Sequence, residues 1–167
     1  MFHQILVATD GSALSNLALT YAADLARHYD SALTLLYVVP PVPEVAYEGA
    51  FTYIYNPKER ARQLAEADQV IADALALLDY PGARAVKATD HALPVAEVIV
   101  SEVNQAHADL VVMSTHGRTG LAHLIYGSVA EAVMHNLDVP VFLVRAPAIR
   151  HSSNARRGES PQTHPFH

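Results

Sequence analysis

Apolar positions in this chain alternate between two repeats, one suited to buried strands and one to helix faces. Residues 4–9 form a short apolar run that stops at the turn cluster Asp10-Gly11-Ser12, which predicts a strand and its turn. Leu14, Leu17, Ala18, Tyr21, Ala22 and Leu25 follow at intervals of three and four, the spacing of one helix face. Residues 32–39 read as a second strand, ended by Pro40-Pro41-Val42-Pro43. Those prolines lack the N–H that a ladder needs and favour an extended loop. From residue 40 to about 56 the chain is aromatic and irregular, with Tyr47, Phe51, Tyr53 and Tyr55. A loop of that length is expected to be functional or mobile.

Pro57 suits the first turn of a second helix, whose apolar face is Leu64, Ala67, Ile71, Leu75 and Leu78. Residues 83–88 make a weaker third strand. Pro94 opens a third helix with Val95, Val98, Ile99 and Val103 on its inner side. Residues 109–114 form the fourth strand, around the continuous apolar run Leu110-Val111-Val112-Met113, and 129–134 read as a fourth helix. Residues 140–145 form the fifth strand. Strands and helices therefore alternate, which predicts a single doubly wound α/β domain: a parallel sheet covered on both faces, with right-handed crossovers.

Composition narrows the function classes. With 167 residues, of which 51% are hydrophobic, the chain can bury a full core. A net charge of -6 argues against a nucleic-acid partner and against an anionic membrane surface. The absence of cysteine removes disulfides, thiolate metal sites and cysteine nucleophiles. Ile5-Leu6-Val7 begins almost at the N-terminus, so no signal peptide is expected, and no apolar run is long enough to span a membrane. Residues 1–147 are assigned to the domain and 148–167 to a polar, flexible tail.

The candidate chemistry lies in residues 114–128, between the fourth strand and the fourth helix. Glycine-bearing loops there can cradle phosphate, because backbone N–H groups converge where the helix start carries partial positive charge. Gly117, Gly127 and Ser128 are the leading phosphate contacts, and Arg118 is the nearby cation. Ser128-Val129-Ala130-Glu131 also fits a capping box with Ser128 as N-cap. Asp10 ends the first strand, where open α/β sheets bind ligands; a turn-forming Asp is the alternative. His116 and His123 make a poor metal signal without partner carboxylates. No GxxxxGK[ST] is present, the only lysines being Lys58 and Lys87, so a P-loop NTPase is excluded. The absence of a G-x-G-x-x-G after the first strand and of a Gly-x-Ser-x-Gly elbow disfavours dinucleotide enzymes and α/β-hydrolases.

Over roughly residues 3–146 the chain resembles the universal stress protein family. The matching pieces are Ile5-Leu6-Val7-Ala8-Thr9-Asp10-Gly11-Ser12, Leu35-Leu36-Tyr37-Val38, the 114–128 loop and Pro140-Val141-Phe142-Leu143-Val144-Arg145. The nucleotide-binding branch carries Gly, two residues, Gly, nine residues, then Gly with Ser or Thr. Here Gly117 and Gly127 have nine residues between them and Ser128 follows, while Ser114 replaces the first glycine and Ala92 a glycine often found before the third helix. The resemblance implies a Rossmann-like sheet, close to the adenine nucleotide alpha hydrolase fold, in strand order 3-2-1-4-5. It implies a cytoplasmic stress-response protein that binds ATP with Mg²⁺ or Mn²⁺ as a sensor or switch. The implied contacts are Ala8, Thr9, Asp10, Val38, Met113, Ser114, His116, Gly117, Arg118, Gly127, Ser128 and Val129, with Asp10 near the metal and Val38 against the adenine. It also implies a homodimer paired through the fifth strand. A slow ATPase or autophosphorylating enzyme and a nucleotide-free interaction module are the alternative readings.

Overall fold

A computed structural model describes residues 1–40, 45–47, 50–52, 57–89, 93–115 and 127–145. The element order is β1 (Gln4–Thr9), α1 (Ala13–Tyr29), β2 (Ala32–Val38), β3 (Val45–Tyr47), β4 (Ala50–Thr52), α2 (Pro57–Leu78), β5 (Arg84–Ala88), α3 (Val95–Gln105), β6 (Leu110–Ser114), α4 (Ser128–Asn136) and β7 (Val141–Val144). Five strands form one sheet in the order β5-β2-β1-β6-β7, and every pairing in it is parallel. Numbering only its own strands, this is the expected 3-2-1-4-5. The aromatic segment after β2 is not wholly irregular: β3 and β4 pair antiparallel as a separate two-stranded ribbon. The spacing of prolines and aromatics there hides so short a hairpin.

The sheet is covered on both faces, which explains why its central strands are apolar at every position rather than at alternate ones. Ile5, Val7, Leu33, Leu35, Leu110 and Val112 pack with α1 and α2. Leu6, Leu36, Val111 and Met113 point the other way, onto α3 and α4. Helix α1 meets the sheet through Ala18, Ala22 and Ala26, each 0% exposed. Small side chains at this four-residue spacing let the helix axis come close. The reading of its face from Leu17 and Tyr21 is therefore corrected, because these two are 37% and 44% exposed. Tyr21 leans on Phe142 of β7, with ring centroids 5.7 Å apart.

At the amino ends of the strands, Asp109 ties β1 to β6. Its Oδ2 accepts the His3 N–H at 2.7 Å and its Oδ1 accepts the Gln4 N–H at 3.0 Å. Desolvation works to raise the Asp109 pKa, but these amides and the His3 ring outweigh it and hold the carboxyl below its ordinary value. No helix among the described residues is long and apolar enough to cross a membrane.

Candidate functional site

The chain leaves β1 for β2 on one side, and β6 lies on the other side of β1. Ligands of open α/β sheets bind outside the carboxyl ends of the strands at such a switch point. A cleft of about 350 Å³ opens here. Its floor is the carboxyl ends of β1, β2 and β6, through Ala8, Leu36, Val38 and Met113. Val95 and Ile99 of α3 form one wall, Pro40 lies at the end of β2, and Gly127, Ser128, Val129 and Ala130 bring in the start of α4. Thr9, Asp10, Ser114 and Thr115 complete the rim. The lining is mostly apolar with a few polar groups at one end, the usual composition of a small-molecule site.

The polar end is built by backbone. Helix α4 has Gly127 as N-cap, in an extended conformation (φ -70°, ψ 151°), and no side chain caps it. The expected capping box is thus corrected. Ser128 is the first helical residue and not the cap, because the Gly127 N–H is held by the Thr115 carbonyl at 2.7 Å and its own carbonyl takes the Glu131 N–H at 3.0 Å. Thr115 is anchored in turn, since its N–H donates to the Val144 carbonyl at 2.9 Å. The amides of Ser128, Val129 and Ala130 are first-turn donors with no intrahelical acceptor. They carry the positive end of the helix dipole to the cleft.

Asp10 sits in a turn made by its neighbours. Its Oδ1 accepts the Ser12 N–H at 3.0 Å. Gly11 adopts φ +79°, which favours glycine, and a Cβ there would also crowd the Val70 side chain of α2 at 3.0 Å. Ser12 caps α1, accepting the Ser15 N–H at 3.2 Å. Both sequence readings of Asp10 therefore coexist geometrically: it forms the turn and it lines the cleft. It is the one titratable side chain among the described lining residues. No cluster of three or more His, Asp or Glu occurs among the described residues. A single carboxylate could hold Mg²⁺ only where ligand phosphates and water supply the remaining oxygens.

Of the residues singled out by sequence, Ala8, Thr9, Asp10, Val38, Met113, Ser114, Gly127, Ser128 and Val129 are brought together around the cleft. His116, Gly117 and Arg118 lie outside the described residues, as do His123 and the tail. Leu36, Pro40, Val95, Ile99, Thr115 and Ala130 line the cleft but were missed. An apolar residue at a strand end or first helical turn carries no mark that separates cleft from core.

A parallel sheet in this order, with an uncapped helix start over a cleft at its switch point, defines a Rossmann-like α/β binding domain. The model of the universal stress protein family matches residues 1–145, and the chain belongs to that family. Universal stress protein MJ0531 of Methanocaldococcus jannaschii is 31% identical over 149 residues, covering 88% of this chain and 84% of its own. Among solved structures, the universal stress protein of Archaeoglobus fulgidus in complex with dAMP matches with a TM-score of 0.59 at 19% identity, over 85% of this chain and 97% of that one. A universal stress protein in complex with cAMP matches with a TM-score of 0.56 at 20% identity, over 86% of this chain and 96% of that one.

Proposed function

We propose that the cleft binds an adenine nucleotide, and that the protein serves as a nucleotide-responsive switch in a stress response. The observation that carries this reading is the uncapped start of α4 opening onto the cleft beside an apolar floor. Phosphate oxygens meet the amides of Ser128, Val129 and Ala130, and the base lies on the side of Val38, Leu36 and Ile99. The dAMP and cAMP carried by the two structural neighbours agree with this choice of ligand. ATP is the form we favour, with Mg²⁺ held between its phosphates and Asp10; the ion would neutralise phosphate charge, and Asp10 would orient it. Gly117, Arg118 and His116 complete the phosphate loop in this proposal, and Ser114 and Met113 its base. Binding without fast turnover fits a lining whose one described titratable side chain is Asp10, already engaged by the Ser12 amide.

We further propose a cytoplasmic homodimer paired through β7. The chain's lack of cysteine fits a reducing compartment. The two edges of the sheet are unlike: β5 carries Arg84 and Lys87, whereas β7 is Val-Phe-Leu-Val. Charged edges resist pairing with another chain and apolar ones invite it. Calorimetric titration with ATP, AMP and cAMP, together with mass spectrometry of small molecules released on denaturing the purified protein, tests the ligand. A folded protein that binds none of the three at millimolar concentration overturns the reading.

A further inference from the structure

We propose that Ser15 is a positioning residue for Asp10, and so for the ligand of the cleft; this rests on the nucleotide reading above. Ser15 is in the first turn of α1, 1% exposed, and is not among the residues that line the cleft. A helix residue so placed has no need of a hydroxyl for packing. This hydroxyl nevertheless makes two hydrogen bonds, to the Ser12 carbonyl at 2.9 Å and with the Thr9 hydroxyl at 2.9 Å.

The directions of these bonds follow from counting hydrogens. A carbonyl only accepts, so the single Ser15 hydroxyl hydrogen goes to Ser12. Thr9 must then donate to Ser15. The Thr9 oxygen in turn accepts the Gly11 N–H at 3.1 Å. Ser12 closes the circuit by donating its own N–H to Asp10 Oδ1 at 3.0 Å. Each hydroxyl of Thr9 and Ser15 uses its hydrogen once, and the Gly11 N–H and the Ser12 carbonyl, in two successive parts of the turn, are held from the same interior point. Val70 closes the turn from outside, against the face where a Gly11 Cβ would stand.

Removing the Ser15 hydroxyl leaves the Thr9 O–H, on a residue 6% exposed, without its acceptor. Any rotation it makes toward another acceptor moves the lone pairs that receive the Gly11 N–H. The turn then samples conformations in which Asp10 no longer addresses the cleft, and apparent affinity falls by the fraction of time the competent turn is lost.

The test compares wild type, Ser15→Ala, Asp10→Ala and the double variant by calorimetry with ATP and Mg²⁺, alongside amide hydrogen exchange of the nucleotide-free proteins. Ser15→Ala is expected to weaken ATP about fivefold, the population effect of one buried hydrogen bond. In the Asp10→Ala background the same change should have a clearly smaller effect, because the part of its influence that runs through Asp10 is gone and only the path through Thr9 is left. The Gly11 and Ser12 amides should exchange faster in Ser15→Ala, while β6 amides keep their protection. A merely structural serine lowers the melting temperature and leaves the affinity of the folded protein and the Asp10 coupling unmoved, and that result overturns the proposal. Additive losses, or unchanged exchange at Gly11 and Ser12, overturn it as well. Wild-type protein that binds no nucleotide overturns the ligand reading and this inference with it; wild-type binding with an unchanged Ser15→Ala overturns the inference alone.

Discussion

Gly127→Asp should make the protein more stable and the ligand weaker. Gly127 occupies the N-cap of α4 at φ -70° and ψ 151°, a conformation open to any residue, so the substitution brings no backbone strain. No side chain caps this helix. An aspartate there would accept a first-turn amide, Val129 or Ala130, and set a negative charge against the positive end of the helix. The gain over glycine is a few tenths of a kcal/mol from the cap and about 0.3–1 kcal/mol from the dipole. In a domain of this size that raises the melting temperature by about 1–4 °C. The same carboxylate takes an amide from the phosphate and repels it. Loss of one charge-assisted hydrogen bond alone is worth about 2 kcal/mol, or about thirtyfold in affinity. Calorimetry for binding and thermal melting of the same preparations read both quantities. Affinity that stays within threefold of wild type while stability rises would show that phosphate does not sit on the α4 amides.

Asp10→Ala should weaken ATP more in Mg²⁺ than in EDTA, because the lost contact runs through the ion; an equal loss in both marks Asp10 as a turn residue only. Asp109→Ala should cost about 1–2 kcal/mol at neutral pH, since the His3 and Gln4 amides at the start of β1 lose a charged acceptor that water only partly replaces. The Asp109 carboxyl is held below its ordinary value of 3.8, so this contribution is complete above that pH and fades as the pH falls through the lower folded value. Urea unfolding at pH 7 and pH 3 should therefore show the wild-type advantage shrinking in acid, and a constant advantage would refute the assignment. Sedimentation should show a wild-type dimer at micromolar concentration that Phe142→Lys shifts toward monomer. Phe142 is the position to change because it is 40% exposed, whereas Val141 and Leu143 pack against the core on the α3 and α4 side. A wild-type monomer, or a dimer indifferent to the lysine, removes β7 from the interface.

The sheet was legible because burial on both faces writes each central strand as a mostly apolar run without strict alternation; β1 is found at residues 4–9, as its pattern predicts. Strand order needed more than periodicity, since alternation implies a parallel sheet without ranking its strands. Helix faces were read less well where small residues do the packing. Ala18, Ala22 and Ala26 are the buried stripe of α1, yet Leu17 and Tyr21 carry the stronger hydrophobic signal and lie partly in solvent. Ser128 misled for a related reason. The pattern Ser-x-x-Glu fits a capping box, but the bond from Gly127 to Thr115 sets the helix start one residue earlier than that box requires. Ser15 was missed because its partners read separately, Thr9 as a strand end and Ser12 as a turn residue, and the bonds that join them to Ser15 exist only once the chain is folded.

The helix starts tell the same story in terms of what each is left able to bind. Helix α1, whose turn carries Asp10, has a serine cap and a chain of hydroxyl bonds from Thr9 through Ser15 to the Ser12 carbonyl. Helices α3 and α4, which wall the cleft, begin at Pro94 and Gly127 with no side-chain cap on either. Proline and glycine have no side-chain acceptor to offer, so no side chain takes the first-turn amides beyond them, although in α3 the Glu97 N–H is taken by the Pro94 carbonyl at 2.9 Å. A sequence optimised for stability alone would place Ser, Thr, Asp or Asn at both positions. Departures from the local rule at the two starts beside the cleft, and adherence to it at the start of α1, are the division expected if the cleft receives an anionic ligand and the α1 turn orients Asp10 toward it, as proposed above.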